Sequence, residues 1–178
     1  DEMREAEEEI KRLLDTVKTE SDRVLEEARK LTRRVEEESE RVLRETKKLT
    51  DELRKLSRKR DKELVKKISE DTIRRNEEAV KRIRELSKES IKRNEDALER
   101  IKRLIKEIID RLEDVLRRGD LDEERVRRVL KEIREVLDRL EKRHKKVSKD
   151  DKEVLERLEK EHKRLSREDE EVLRELER

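Results

Sequence analysis

The sequence lacks the residues on which most enzyme and binding classes depend. Its 178 residues include no cysteine, proline, phenylalanine, tyrosine or tryptophan, and a single glycine, Gly119. Without cysteine there can be no disulfide scaffold, zinc–thiolate site or cysteine nucleophile. One glycine is too few for a dinucleotide or P-loop phosphate cradle, and nucleic-acid bases cannot be stacked without aromatic rings. The longest apolar run is two residues, which excludes a membrane span.

Charged residues make up most of what remains. The chain has 55 Lys and Arg against 53 Asp and Glu, for a net charge of +2. Leu, Ile and Val account for 46 residues, which is above the level of roughly 20% typical of disordered chains. The short basic cluster Arg58-Lys59-Arg60 is interpreted as a loop, because nucleic-acid binding favours a longer basic stripe. We therefore expect no enzymatic activity, no cofactor or metal, and no nucleic-acid, membrane or small-molecule partner.

An internal repeat of 18 residues organises the chain. Residues 21–32 return as 39–50, residues 73–80 return as 91–98, and residues 144–155 return as 162–173. Eighteen residues are five turns of an α-helix at 3.6 residues per turn. Such a period keeps an apolar stripe straight along an untwisted helix, whereas a heptad repeat forces a left-handed supercoil.

The apolar stripe has the width of a helix face that packs on two or more others. Between residues 21 and 35 it covers an arc of about 120° at 100° per residue. The opposite face is almost entirely charged, with many opposite-sign pairs four residues apart. In the first segment the stripe comprises Ile10, Leu13, Leu14, Val17, Ser21, Val24, Leu25, Ala28, Leu31, Thr32 and Val35.

Two turns divide the chain into three helices of similar length. Gly119 suits the left-handed position after a helix end, and Asp120 with Glu123 forms a variant of the capping box. The first turn has no glycine, but equal helix lengths place it near residue 60, where Asp61 can cap the next helix. The sequence predicts an all-α fold, a long, straight, untwisted antiparallel three-helix bundle forming one elongated domain over 1–178. Its helices, of about 57 residues each, span about 1–58, 61–118 and 121–178.

Polar residues on the apolar stripes fall at shared levels when the chain is folded at these turns. Residues level on the first two helices have numbers that add to about 120, as Thr46 and Asn76 do. Those on the last two add to about 240, as Asn76 and His162 do. We predict two buried hydrogen-bond networks about 27 Å apart. One comprises Thr46, Thr50, Ser69, Thr72, Asn76, His162, Ser166 and Asp169. The other comprises Thr32, Ser87, Ser90, Asn94, His144, Ser148 and Asp151.

Such networks are expected to fix helix register. Leucine and valine alone could slide along an untwisted repeat, whereas a slipped alignment leaves buried polar groups unpaired, at roughly 1–3 kcal/mol each. Ser21, Ser39 and Ser57 have no partner at their level on the second helix. We interpret them as bonded to their own helix or as lying at a network edge.

The two histidines admit several interpretations. His144 and His162 lie about 27 Å apart on one helix, with no second histidine four residues away, so a metal site is disfavoured. Ser148 and Asp151 share a face with His144, but a packed interior offers neither pocket nor oxyanion donors for catalysis. A pH response is better founded, because a buried neutral imidazole resists protonation. Membership of a register-fixing network is the favoured interpretation.

The whole chain resembles de novo designed helical bundles with modular buried hydrogen-bond networks. The features that carry the resemblance are the strict repeat, the single loop glycine, the absence of aromatic residues, and Ser, Thr, Asn and His in core layers. The resemblance implies a monomeric scaffold, a homo-oligomer, half of a heterodimer, a switch or a building block of an array.

Two functions are therefore open at this point. The first is a structural scaffold or assembly module without natural activity. The second is a helical binding module that accepts a further helix from a second copy or a designed partner, with a pH response through His144 and His162. No targeting segment is visible, so we expect a soluble protein made recombinantly in the cytoplasm.

Overall fold

The computed structural model describes residues 2–119 and 122–178, and they form three long helices. These are α1 (Glu2–Arg58), α2 (Lys62–Arg117) and α3 (Glu123–Glu177). The described residues contain no strand. The predicted all-α, three-helix fold is confirmed. No helix in the described ranges is both long and apolar enough to cross a membrane.

The chain divides into two compact units, and every helix contributes to both. Unit 1 comprises Asp1–Arg29 and Ser90–Lys149, and unit 2 comprises Lys30–Glu89 and Asp150–Arg178. Because the helices run through both units, this division does not test the prediction of a single domain, which stays a prediction.

Ion pairs between the helices report the register within each unit. Each pair between α1 and α2 joins residues whose numbers add to 120, which requires antiparallel helices. These pairs are Glu9–Arg111 in unit 1, and Glu38–Arg82 and Glu45–Arg75 in unit 2. Pairs between α1 and α3 instead join residues whose numbers differ by 114 to 121, which requires parallel helices. Asp22–Arg143 in unit 1 and Glu36–Arg157 in unit 2 both differ by 121.

Unit 1 is held by one continuous apolar core. Its buried members come from all three helices and include Val17, Ile105 and Ile133, each at most 2% exposed. Unit 2 instead has two smaller clusters, one around Val35, Ile83, Leu155 and Leu158 and one around Leu53, Val65 and Val172. Polar side chains occupy interior positions of unit 2 around these clusters, and they form most of the candidate site described below.

The first turn ends α1 by a Schellman motif without glycine. The amide of Asp61 donates to the carbonyl of Leu56, and the amide of Arg60 donates to that of Ser57, which is the bond pattern of this motif. Arg60 occupies the left-handed position with φ of 56°. Asp61 then caps α2, with its carboxylate 3.4 Å from the amide nitrogen of Leu64.

Replacing Arg60 with glycine is expected to stabilise the protein. A side chain in the left-handed region costs roughly 1–2 kcal/mol, and glycine loses part of that gain through its greater unfolded-state entropy. We expect Arg60→Gly to raise the free energy of unfolding by about 0.5–1 kcal/mol, measured by urea denaturation. The matched control is Gly119→Ala at the second turn, where φ is 73° and an added Cβ meets nothing within 4 Å. Gly119→Ala should therefore lower stability through backbone strain alone. If both substitutions changed stability in the same direction, Arg60 would not be strained.

The second turn places Gly119 in the predicted left-handed conformation. The predicted cap Asp120 and helix start at residue 121 lie outside the described residues. Among those described, Asp122 is the N-cap of α3. Its carboxylate accepts from the amide of Glu124 at 3.2 Å, and its carbonyl accepts from Val126.

Candidate functional site: buried polar groups of the two units

A histidine of α3 joins α1 and α2 in the interior of unit 2. His162 Nε2 lies 2.6 Å from the Ser39 hydroxyl oxygen, and its Nδ1 lies 2.7 Å from Asn76 Oδ1. His162 and Asn76 are fully buried, and Ser39 is 4% exposed. We call Ser39, His162 and Asn76 the unit 2 triplet.

The hydrogen bonds of Asn76 fix which ring nitrogen of His162 carries the proton. Asn76 Nδ2 donates to the carbonyl of Thr72 at 3.0 Å, and a carbonyl can only accept, so the amide orientation is set. Asn76 Oδ1 therefore faces the imidazole and accepts from Nδ1–H. In the neutral ring, Nε2 is then the acceptor, and the Ser39 hydroxyl donates to it.

Burial keeps this imidazole neutral. Removal from water lowers the pKa of His162 to about 4, because the charged form loses more solvation than the neutral form. The two side chains bonded to the ring are uncharged, so neither offers an ionic partner to the imidazolium. At neutral pH both ring nitrogens are thus satisfied by one donor and one acceptor.

Unit 1 repeats this arrangement with the corresponding residues. His144 Nε2 lies 2.7 Å from the Ser21 hydroxyl, and its Nδ1 bonds Asn94 Oδ1. Asn94 Nδ2 donates to the carbonyl of His144 at 2.9 Å and also bonds the Ser148 hydroxyl. Burial and the neighbouring charge of Arg143 lower the pKa of His144. We call Ser21, His144 and Asn94 the unit 1 triplet.

A buried carboxyl group forms the second polar centre of unit 2. Asp169 is fully buried, and its two oxygens lie 2.5 Å from the Thr50 hydroxyl and 2.6 Å from the Thr72 hydroxyl. Burial raises the pKa of Asp169, and the two hydroxyl donors partly oppose that rise. Thr72 also connects the two centres, because its carbonyl accepts from Asn76.

Each threonine hydroxyl has one proton and two acceptors within reach. Thr50 can donate to Asp169 or to the carbonyl of Thr46 at 2.9 Å, and Thr72 can donate to Asp169 or to the carbonyl of Ser69 at 3.0 Å. An ionised Asp169 takes both protons. A protonated Asp169 donates to one threonine, which then donates to its own helix, so both protonation states are fully bonded.

Replacing Asp169 with asparagine is therefore expected to preserve or raise stability at neutral pH. The amide can accept from one threonine and donate to the other, while the desolvation of a charge disappears. We expect the free energy of unfolding to rise by 0 to roughly 2 kcal/mol, measured by urea denaturation at pH 7. Asp150→Asn, at an exposed position of the same helix, has the same charge change and should have almost no effect. A marked loss in Asp169→Asn alone would contradict this account.

In the described part of the chain, the remaining predicted network residues other than Asp151 have no side-chain hydrogen bond to another helix. Thr46 and Ser69 are fully buried, and their hydroxyls donate to carbonyls of their own helices, at Val42 and Val65. Among the described residues, four others are not joined to another helix by a side-chain hydrogen bond. They are Thr32 and Ser90, which are buried, and Ser87 and Ser166, which are half-buried. Asp151 is also half-buried, and it is not without an interaction partner.

Ser21 and Ser39 are the site residues that sequence reasoning missed. Of the two expectations, bonding to their own helix is wrong, whereas a position at a network edge agrees with the structure, because each serine is bonded to a network histidine of α3. The signal was present in the sequence. Parallel helices offset by about 120 residues place Ser21 near residue 141 and Ser39 near residue 159, each within one turn of a histidine.

The triplets have the serine–histidine hydrogen bond of a catalytic site, but they lack the surroundings that catalysis needs. A serine nucleophile needs a substrate pocket and donors aimed at a developing oxyanion. Ser21 and Ser39 lie in the middle of α1, where backbone amides donate within the helix. No buried side-chain nitrogen or oxygen of the described residues lacks a hydrogen-bond partner. What the arrangement does chemically is to match donors and acceptors of three helices at one level.

Comparisons with known proteins return few matches. The family model described as "G protein-coupled receptor kinase-interacting protein 1 C term" matches residues 69–159, from within α2 to within α3. Among solved structures, the chain is similar to one titled "Computationally designed three helix bundle". The identity is 20% over 98% of this chain and 88% of that chain, with a TM-score of 0.40. No curated protein matches the chain.

Proposed function

The chain belongs to the family described as "G protein-coupled receptor kinase-interacting protein 1 C term", and we propose that it serves as a structural scaffold or assembly module. In this proposal the buried polar groups set helix register and pairing, and the chain has no catalytic activity and no cofactor. The observation that carries it is the repeated triplet, in which one histidine satisfies donors and acceptors on two other helices.

The same triplet supports a register function rather than a stabilising one. Exchanging buried hydrogen-bonded groups for apolar ones of similar size is often neutral or stabilising. Sliding one helix past the others, in contrast, leaves several buried groups unpaired at roughly 1–3 kcal/mol each. A repeat of 18 residues makes apolar positions nearly equivalent along each helix, so the polar levels supply the discrimination.

A designed origin accompanies this proposal. The 18-residue repetition and the confinement of polar core residues to repeated levels are idealised features of the kind used to specify one packing. Neither the repetition nor the placement of the polar core residues matches a known catalytic or ligand-binding motif. The family model spans part of two helices, so its match is compatible with a sequence composed for helical packing.

The test replaces both triplets with apolar side chains. The variant combines Ser21→Ala, Ser39→Ala, Asn76→Leu, Asn94→Leu, His144→Leu and His162→Leu with Thr50→Val, Thr72→Val and Asp169→Leu, because the Asp169 centre also bonds three helices at one level. We expect it to remain helical but to show several sets of backbone amide resonances in NMR spectra, because more than one register becomes populated. The control replaces the unit 1 triplet alone and should keep a single set. One native set of resonances in the full variant would contradict the register function.

The alternative is a binding module that accepts a further helix. An accepting face would expose large apolar side chains, and among the described residues the one that is exposed is Leu64, at 40%. We therefore expect light scattering to give a monomer and an apolar dye to give no fluorescence increase. A dimer or strong dye binding would favour the alternative and contradict the monomeric scaffold.

A further inference from the structure

The turn between α1 and α2 concentrates positive charge. Residues 54–67 contain eight basic residues and two acidic ones, Asp61 and Glu63. The second turn is different, since residues 111–127 contain five basic and six acidic residues. The positive charge is therefore a local feature of the first turn and not a general property of helix ends in this chain.

Most of these cations have no ionic partner. All eight side chains are exposed, and Arg54 forms an ion pair, 3.4 Å from Glu168 of α3. Within the described residues, the others have no carboxylate within 4 Å. They are Lys55, Arg58, Lys59, Arg60, Lys62, Lys66 and Lys67. Basic residues without an ion pair also occur elsewhere on the helices, so what sets this turn apart is its excess of eight basic over two acidic residues.

The backbone at this turn is held in place. Two amide bonds close the end of α1, and the Asp61 carboxylate caps α2. Arg60 is kept in the left-handed region by this frame rather than by its own preference. The cations therefore project from an ordered turn, which lowers the entropy lost when a ligand binds them.

The acidic residues of α3 limit how far the positive surface extends. The last turns of α3 pack against this end of unit 2 through Val172, and they carry exposed Glu171 and Glu175. A ligand bound at the turn must therefore contact α1 and α2 and avoid α3. Aromatic residues are absent, so the ligand would be recognised by its charge and not by stacking.

We propose that this turn, residues 54–67, is a binding site for a chain of phosphate groups. A phosphate chain matches the site because it presents closely spaced anions to closely spaced, unpaired cations and requires no apolar contact. A nucleic-acid backbone and inorganic polyphosphate share this chemistry. This proposal departs from the expectation that the chain has no nucleic-acid partner, which considered Arg58-Lys59-Arg60 alone, because the folded turn brings together eight cations from two helices and the residues between them.

The experiment measures binding of a fluorescent oligothymidylate and, by competition, of inorganic polyphosphate, as sodium chloride is varied. One variant combines Arg58→Gln, Lys59→Gln and Lys62→Gln. The matched control combines Lys145→Gln, Lys146→Gln and Lys149→Gln, three exposed positions of α3 with the same total charge change. Neither variant alters a buried residue, and circular dichroism verifies the fold of both.

We expect salt-dependent binding that the turn variant weakens by about tenfold or more at low salt. The slope of log affinity against log salt should fall by about 2, since each phosphate contact contributes about 0.7 for a single strand. The control should bind as the unsubstituted chain does. Competition by polyphosphate supports recognition of the phosphate chain itself, and failure to compete overturns it. Equal weakening in both variants, no binding at low salt, or binding only to anionic lipid vesicles would also overturn the proposal.

Discussion

Acidification is expected to destabilise the protein strongly between neutral pH and about pH 4.5. His162 has a pKa of about 4 in the folded chain, against an ordinary value of 6.5. The unfolded chain therefore binds a proton in this range that the folded chain does not bind. Stability falls as pH decreases below the unfolded pKa, and His162 alone should remove roughly 2–3 kcal/mol by about pH 4.5.

His144 adds to the same loss. Its pKa is also lowered in the folded chain, by burial and by Arg143. The charge of Arg143 is partly met by Asp22, 2.9 Å away, and the side chains bonded to the ring, Ser21 and Asn94, are uncharged. Because both histidine pKa values are lowered, protonation of either residue destabilises the folded chain as the pH falls.

Two carboxyl groups respond to acidification in opposite directions. The pKa of Glu159 is lowered, chiefly by its hydrogen bond to Arg84, so its stabilising effect is lost as it becomes protonated. The pKa of Asp169 is raised by burial, so protonation of this residue favours the folded chain. Repeating the measurement in Asp169→Asn removes this opposing contribution and leaves that of the histidines.

The measurement is urea denaturation at several pH values across this interval, followed by circular dichroism. The control is His162→Leu, in which the pH dependence should shrink to the part that His144 contributes. A free energy of unfolding that stays constant from pH 7 to 5 would contradict the buried, neutral state of both imidazoles.

The fold followed from sequence periodicity because one physical constraint dominates it. A stripe repeating every 18 residues must be buried, and a chain of this length buries three such stripes by turning twice. Gly119 marked one turn directly. The other turn is indicated by helix length, by Asp61 as an N-cap and by the shared levels of polar residues. No glycine marks it, because Arg60 occupies the position where glycine is preferred, and propensity gives no signal for a residue held there by its neighbours.

The polar interior was harder to derive from the sequence. The sums of residue numbers place Asn76 beside His162 and Thr72 beside Asp169, because the positions of the turns determine which residues of antiparallel helices meet. It could not separate hydroxyls that cross between helices from those, such as Thr46, that bond their own helix four residues back. That choice depends on side-chain rotation, which residue spacing does not encode.

Replacing both Asn76 and His162 in the unit 2 triplet is expected to cost less than the sum of the two single replacements. Asn76→Ala leaves the Nδ1–H of His162 buried without an acceptor, and we expect a loss of about 3 kcal/mol. His162→Leu keeps the volume but leaves Asn76 Oδ1 unpaired, for a loss of about 2 kcal/mol. In the double variant neither unpaired group remains, because Asn76→Ala removes the Oδ1 that His162→Leu leaves unpaired, and His162→Leu removes the Nδ1–H that Asn76→Ala leaves unpaired.

The double variant should therefore lose about 3 kcal/mol rather than the sum of the two single losses, which gives a coupling of about 2 kcal/mol. Urea denaturation at pH 7 measures all three variants. The corresponding cycle with Asn94→Ala and His144→Leu in unit 1 should show a coupling of the same sign, because its triplet has the same bonds. A third cycle, pairing Asn76→Ala with His144→Leu, has no shared bond and should be additive. Additivity within the unit 2 cycle would mean that the imidazole and the amide do not depend on each other, and the register function would lose its energetic basis.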